Sequence, residues 1–159
     1  MSTIGAKLET TMAKTQTNVW LHEAREAIKS AAIVFSQINS MTTGAAENLF
    51  IGVENAIKAP MVEKIGQVPP HLKNHKLMSL CQSTGLWIEL PPNLQSFVQD
   101  MSPFDPNVRY PDTTAYQTLV SSSTPNEWQR RLTTAPLLVE FVEKQVIAIP
   151  SVLSRITVP

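Results

Sequence analysis

The strongest constraint on the fold is a periodic pattern of apolar residues in the last third of the chain. Apolar side chains recur at alternating steps of four and three residues, at Trp128, Leu132, Ala135, Val139, Val142, Val146 and Ile149. This spacing places them on one face of an α-helix. Just before it, Thr124, Pro125 and Glu127 match an N-cap, a first-turn proline and a capping box. We therefore predict a long helix that starts at Thr124, bends at Pro136 and ends at Pro150.

A second helix is predicted in the first third of the chain. Its apolar positions, again three or four residues apart, are Trp20, Ala24, Ala27, Ala31, Phe35 and Ile38. Thr17 or Asn18 is placed to cap its start. The preceding residues 1–16 are polar and lack this periodicity, so we predict a flexible N-terminal segment there.

A third helix is predicted to begin at Thr43 or Gly44. Its apolar stripe consists of Ala46, Leu49 or Phe50, Val53 and Ile57. Pro60 removes a backbone donor from this helix, which must therefore either end before the proline or kink. Because the apolar spacing continues beyond Pro60, we predict a kink, with the helix extending to Ile65 before Gly66 ends it.

Shorter elements are predicted between these helices. One short helix follows a cap at Asn74 and contains Cys81, and another runs from Pro92 to Met101. Residues 102–123 contain three prolines and a run of serines, which predicts a long irregular connection. Residues 86–90 carry the only pattern that would suit a short extended piece.

Three long and two short helices predict an all-α fold. The arrangement expected for them is an antiparallel up-and-down bundle of four to five helices, kinked at Pro60 and Pro136. The bundle would occupy residues 17–149, between the flexible segment 1–16 and a C-terminal tail at 150–159.

The composition excludes some classes of protein. The chain has 159 residues, with 13 Lys and Arg balanced by 13 Asp and Glu, so a nucleic-acid binder held by bulk positive charge is excluded. The 43% of hydrophobic residues exclude a disordered chain. A single cysteine, Cys81, excludes an internal disulfide and fits a reducing compartment, so we expect a cytoplasmic protein. Since no apolar run approaches the length of a membrane span, we expect no membrane association.

Metal and cofactor chemistry find little support in the sequence. The three histidines are His22, His71 and His75, and none belongs to the Glu-x-x-His pairs of a di-metal bundle. Cys81 lies on the apolar side of a short predicted helix, as expected for an inert thiol. None of the five glycines is closely spaced with another, which excludes a P-loop or dinucleotide fingerprint. We therefore expect no metal and no cofactor.

Two groups of residues remain as candidates for binding chemistry. Glu54 and Lys58 lie four residues apart on the third predicted helix, which would also suit an exposed helix-stabilising pair. The segment Arg109–Asp112, which reads Arg-Tyr-Pro-Asp, lies in the long connection. Its arginine could bind a phosphate and its tyrosine could stack on a base. Its aspartate could bind the guanidinium or a ribose hydroxyl. Alternatively, the segment is a structural latch that fastens the loop to the bundle.

These pieces, in this order, resemble the HEPN family, the higher eukaryote and prokaryote nucleotide-binding domains. The resemblance covers roughly residues 20–149. The helix of residues 20–31 looks like the family's opening segment, and residues 54–59 resemble its pattern of Glu, three residues, Lys and Ala. Residues 70–80 resemble the family's third helix, which follows a Pro-rich segment and begins with a His. Arg109–Asp112 resembles the Arg-Tyr-Pro-Asp loop of the family. The helix from Ala135 onward resembles the last one of the family.

The resemblance implies a helical bundle that pairs into a homodimer. Many HEPN proteins act as the toxin or partner of a small nucleotidyltransferase, and others are metal-independent ribonucleases that use an Arg shortly followed by His. No Arg lies shortly before any histidine of this chain, which departs from the ribonuclease pattern. Pro60 and Pro136 also depart from the unbroken helices of the family. The nucleotide-binding residues that the resemblance implies are Glu54, Lys58, His75, Arg109, Tyr110 and Asp112.

Three functions are therefore considered. The leading expectation is a HEPN-like domain that binds a nucleotide or a small nucleotidyltransferase partner, related to toxin–antitoxin pairs and without catalytic turnover. The first alternative is a divergent metal-independent ribonuclease acting on RNA, with Arg109 stabilising charge on the phosphorus and His75 as acid or base. The second alternative is a purely structural oligomerising module.

Overall fold

The computed structural model describes residues 3–69, 76–106 and 113–159, and within these ranges the chain is all-helical and contains no strand. A 3₁₀ turn at Ser102–Phe104 and a π-helical segment at Val142–Ile147 accompany the α-helices. The α-helices are α1 (Thr3–Ile38), α2 (Thr43–Ile65), α3 (Leu77–Ser83), α4 (Leu86–Glu89), α5 (Pro92–Met101), α6 (Thr113–Ser121), α7 (Pro125–Phe141) and α8 (Pro150–Leu153). The prediction of an all-α protein is confirmed.

Helices α1 and α2 form an antiparallel hairpin that is the largest packing unit of the fold. The turn between them passes through Asn39, which has a positive φ of 50°, and the Thr42 side chain caps α2 by accepting from the Ala45 N–H. At the far end of the hairpin, buried Thr17 donates to Glu63 Oε2 over 2.5 Å. Between these ends Gly52 allows the two backbones to approach closely. A Cβ at Gly52 would lie 2.9 Å from the Ala24 carbonyl oxygen.

The start of α1 differs from the prediction. The helix begins at Thr3, so the predicted cap at Thr17 or Asn18 is wrong. Thr17 lies inside the helix, and its hydroxyl donates to Glu63 of α2. Serine and threonine side chains serve caps and tertiary contacts equally well, and their position in the sequence does not distinguish the two uses.

The prediction that α2 continues beyond its proline is confirmed. Helix α2 runs through Pro60 to Ile65. Gly66 then adopts a left-handed conformation with φ of 80°, and its N–H donates to the Val62 carbonyl over 2.7 Å. Glycine suits this position because it has no Cβ to clash in the left-handed region.

Helix α7 starts as predicted but ends differently. The capping box at its start is present, with Thr124 and Glu127 bonded reciprocally. The helix continues through Pro136 to Phe141 and then widens into the π segment, whose last bond joins the Ala148 N–H to the Glu143 carbonyl. This extra residue per turn shifts the apolar register. Trp128, Leu132, Ala135, Val139, Val142 and Val146 are buried as predicted, whereas Ile149 is exposed.

Two helices lie where the sequence predicted other structure. Helix α6 occupies part of the predicted irregular connection, and α4 replaces the predicted extended piece. Tyr116 of α6 is buried and donates its hydroxyl to the Phe104 carbonyl over 2.9 Å. Trp128 donates its indole N–H to the carbonyl of Val120, also in α6. These tertiary hydrogen bonds, which no local pattern reveals, hold α6 against the core.

The C-terminal residues pack against the bundle. Ile156 is buried, and its carbonyl accepts a hydrogen bond from Lys64 of α2. Arg155 forms a bidentate pair with Glu89 of α4, over 2.6 and 3.0 Å. Charge-assisted bonds to Arg155 hold the pKa of the Glu89 carboxyl below its ordinary value. The segment predicted as a tail is therefore fastened to α2 and α4.

Candidate functional site

The Glu54–Lys58 pair is present on α2, in the four-residue spacing that the helix provides. The Lys58 ammonium donates to Glu54 Oε1 over 3.1 Å. The Lys58 side chain is only 5% exposed and that of Glu54 19%, so the alternative of an exposed surface pair is wrong. Transferring a lysine ammonium out of water is costly unless it is paired, and Glu54 supplies a countercharge.

The other four predicted nucleotide-binding residues lie outside the described residues. They are His75, Arg109, Tyr110 and Asp112. The structure therefore describes Glu54 and Lys58 together, and the convergence of all six stays a prediction. The same holds for the pair Arg109 and His75 of the ribonuclease alternative and for the latch role of the loop.

Of the nucleophile and metal candidates, His22 and Cys81 lie within the described ranges, whereas His71 and His75 lie outside them. No group of three or more His, Cys, Asp or Glu side chains in residues 3–69, 76–106 and 113–159 is arranged to hold a metal ion. Cys81 is fully buried on α3. Burial raises the pKa of its thiol to about 12 from an ordinary value of 9.0, because the thiolate is poorly solvated there.

Cys81 should therefore be nearly inert toward thiol reagents in the folded protein. At pH 8 we expect a disulfide reagent to label Cys81 roughly a thousandfold more slowly in buffer than in 8 M urea, because the thiolate population falls tenfold per pKa unit and access is blocked. Mass spectrometry of timed samples measures this rate. Labelling in buffer as fast as in urea would show that the thiol is accessible in the folded chain.

A buried arginine on α7 was missed by the sequence analysis. Arg131 is 4% exposed, and its Nε and Nη2 donate to both carboxylate oxygens of Asp100 in α5 over 2.7 and 3.0 Å. Its guanidinium lies 4.9 Å from the ring centre of Phe104 and 4.5 Å from that of Trp128. Arg131 thus joins α5, the 3₁₀ turn and α7 through an ion pair and two cation–π contacts.

The Arg131 cluster is a structural centre. Its third nitrogen, Nη1, is buried and has no hydrogen-bond partner in the part of the chain that the structure describes. The two aromatic rings stabilise the cation through their faces. A sequence signal did exist. Arg131 precedes Leu132 and follows Trp128 by three positions, which places it at the edge of the buried face of α7.

A groove lies between α1 and α7. It has a volume of about 500 Å³ and is bordered by one side of α1, by α7 and by the π segment. Its apolar lining consists of Ile28, Ala32, Leu132 and Pro136. Its charged lining consists of Arg25, Lys29, Glu140, Glu143 and Lys144. We call this cavity the α1–α7 groove.

Comparison of the chain with protein-family models, with curated proteins and with solved structures finds no match. In the ranges that the structure covers, no helix combines the length and the apolar character needed to cross a bilayer. A functional assignment therefore has to come from the residues and their geometry.

Proposed function

We propose that this chain is a HEPN-like domain that binds a nucleotide, or a small nucleotidyltransferase partner, without catalytic turnover. In this proposal the helices have the up-and-down arrangement of that family and the chain acts as a homodimer. The observation that carries the proposal is the Lys58 ammonium, which is buried on α2 beside Glu54 in the spacing that the family pattern requires.

The burial of Lys58 supports a binding role through electrostatics. An ammonium surrounded by protein interacts with a phosphate more strongly than an exposed lysine does, because water screens the interaction less. Glu54 fixes the ammonium on α2 by the 3.1 Å hydrogen bond and is itself part-exposed. Because the exposed part of the pair is the Glu54 carboxylate, a phosphate that binds the Lys58 ammonium has to displace this carboxylate from it.

The loop residues would complete this site. Arg109 would bind phosphate oxygens together with Lys58, and Tyr110 would stack on the base. Asp112 and Glu54 would orient the two cations, and His75 would donate or accept a proton according to pH. This division of roles follows from the chemistry of the side chains and from the family resemblance.

Titration calorimetry with ATP tests the proposal. We expect saturable heat at millimolar ATP for the natural chain and at least tenfold weaker binding for Lys58→Met, because a cation that faces the phosphates is lost. Methionine preserves the apolar length of the side chain, and Glu54 remains solvated through its exposed side. The matched control is Arg130→Met, which removes an exposed cation from α7 and should leave ATP binding within twofold.

Several outcomes would contradict the nucleotide site. One is the absence of heat at millimolar ATP, measured on a sample whose circular dichroism shows folded helices. Another is an equal loss of affinity in Lys58→Met and Arg130→Met, since this would indicate non-specific attraction of the anion to positive charge.

A further inference from the structure

We infer that the α1–α7 groove binds a small amphipathic carboxylate, a molecule with an apolar body and one anionic head, with Lys29 pairing the head. The groove shares no lining residue with the Glu54–Lys58 pair. This inference is therefore independent of the nucleotide site proposed above.

The size and lining of the groove suit a small organic molecule. Its volume of about 500 Å³ lies within the range of pockets that enclose ligands of this size, which occur commonly between the helices of bundles. Ile28 and Leu132 form the deep part and are almost fully buried. Along α7 and the π segment the lining extends from Leu132 to Lys144, a distance of about 18 Å at the rise of an α-helix. An elongated apolar body fits this shape.

The charges around the groove select the sign of the ligand. Arg25 pairs with Glu143 over 2.8 Å and Lys144 pairs with Glu140 over 3.0 Å, so both acids of the lining already have a cation. Among the described residues, Lys29 forms no ion pair, and it is the third cation of a lining that has two acids. The charge that a ligand can neutralise here is therefore positive, and a single carboxylate complements it.

The position of Lys29 orients the ligand. Lys29 lies on α1 between Arg25 and Ala32. Arg25 pairs with Glu143 across one end of the groove, and Ala32 lies toward the apolar end. A carboxylate held by Lys29 would leave its apolar body to extend along Ala32 and Pro136. The charged head then stays among the half-exposed polar side chains, and the apolar body covers the apolar lining.

The backbone of the wall opposite α1 is irregular at this site. Pro136 has no N–H to donate to the carbonyl of Leu132, and both residues line the groove. The π segment begins six residues after Pro136, at Val142, and carries Glu143 and Lys144. Helix irregularities of this kind occur frequently at functional sites, where they redirect side chains.

Titration of the full chain with dodecanoate, below its micelle concentration, tests the inference. Calorimetry should show one molecule bound per chain, and dodecanol, which has the same apolar body without the charge, should bind at least tenfold more weakly. Lys29→Met should weaken dodecanoate binding at least tenfold. The matched control, Arg130→Met, removes an exposed cation of α7 outside the groove and should leave binding within twofold.

A second variant tests the apolar part independently. Ala32→Leu places a larger side chain in the groove and should weaken dodecanoate and dodecanol alike, with the circular dichroism of the natural chain retained. Equal affinity for dodecanoate and dodecanol would overturn the role of Lys29. The absence of saturable binding, or binding only of an acidic peptide, would overturn the inference as a whole. Because ATP binding is measured separately, failure of either site leaves the test of the other intact.

Discussion

Replacing Asp100 with asparagine should lower the free energy of unfolding by about 3 kcal/mol, the low end of the cost of breaking a buried ion pair. Arg131 would keep its buried charge but lose the carboxylate that accepts from two of its nitrogens. Among the described residues its Nη1 has no hydrogen-bond partner, and the ion pair of Nη2 with Glu127, at 3.7 Å, is too long to replace the lost hydrogen bonds. The partial exposure of Asp100 places the expected loss at the low end. Urea denaturation followed by circular dichroism measures it, with an unchanged m-value.

Two further variants define how this result is interpreted. Glu140→Gln breaks an exposed pair with Lys144 and should change stability by less than about 0.5 kcal/mol. Adding Arg131→Met to Asp100→Asn should recover part of the loss, because methionine packs between Phe104 and Trp128 without a charge to pair. If Asp100→Asn costs no more than Glu140→Gln, the buried pair is not a stabilising centre of the fold.

Gly52→Ala should destabilise the protein by about 2 kcal/mol although alanine favours helices. The new Cβ would lie 2.8 Å from Ile28 Cγ1 and 2.9 Å from the Ala24 carbonyl oxygen. A backbone oxygen inside a helix cannot move alone, so α1 and α2 must separate. Overpacking of this kind costs up to about 3 kcal/mol, whereas the helix preference of alanine over glycine returns about 1 kcal/mol. Thermal and urea unfolding of the variant measure the difference.

Gly44→Ala is the matched control for this prediction. Gly44 lies in the first turn of the same helix, and a Cβ there would meet no atom within 4 Å. We expect this variant to be as stable as the natural chain or more stable, by at most about 1 kcal/mol. If Gly52→Ala lowers the free energy of unfolding and Gly44→Ala raises it, the loss is due to the close contact between α1 and α2. A Gly52→Ala variant that is more stable than the natural chain would refute that contact.

The candidate binding site was only partly accessible to sequence reasoning. The four-residue spacing of Glu54 and Lys58 indicated their pairing, because i and i+4 side chains meet on any helix. Their burial was not indicated, since it depends on what packs over α2. The α1–α7 groove was not predicted at all. Its lining comes from segments a hundred or more residues apart, and neither segment has a local pattern that reveals the other.

The apolar face predicted for α1 was only partly right, because Ile38 is exposed and the unpredicted Leu21 and Ile28 are buried. What could be derived from the sequence was local: the apolar faces of α2 and α7, the capping box at Thr124 and the end of α2 at Gly66. These follow from interactions within one or two helical turns. Tertiary packing decided the rest, including the helical state of α6, the burial of Arg131 and the docking of Ile156. Each depends on hydrogen bonds, ion pairs or apolar contacts with residues far along the chain. Such contacts offset the cost of ordering a weak helix or burying a charge only once the bundle has assembled.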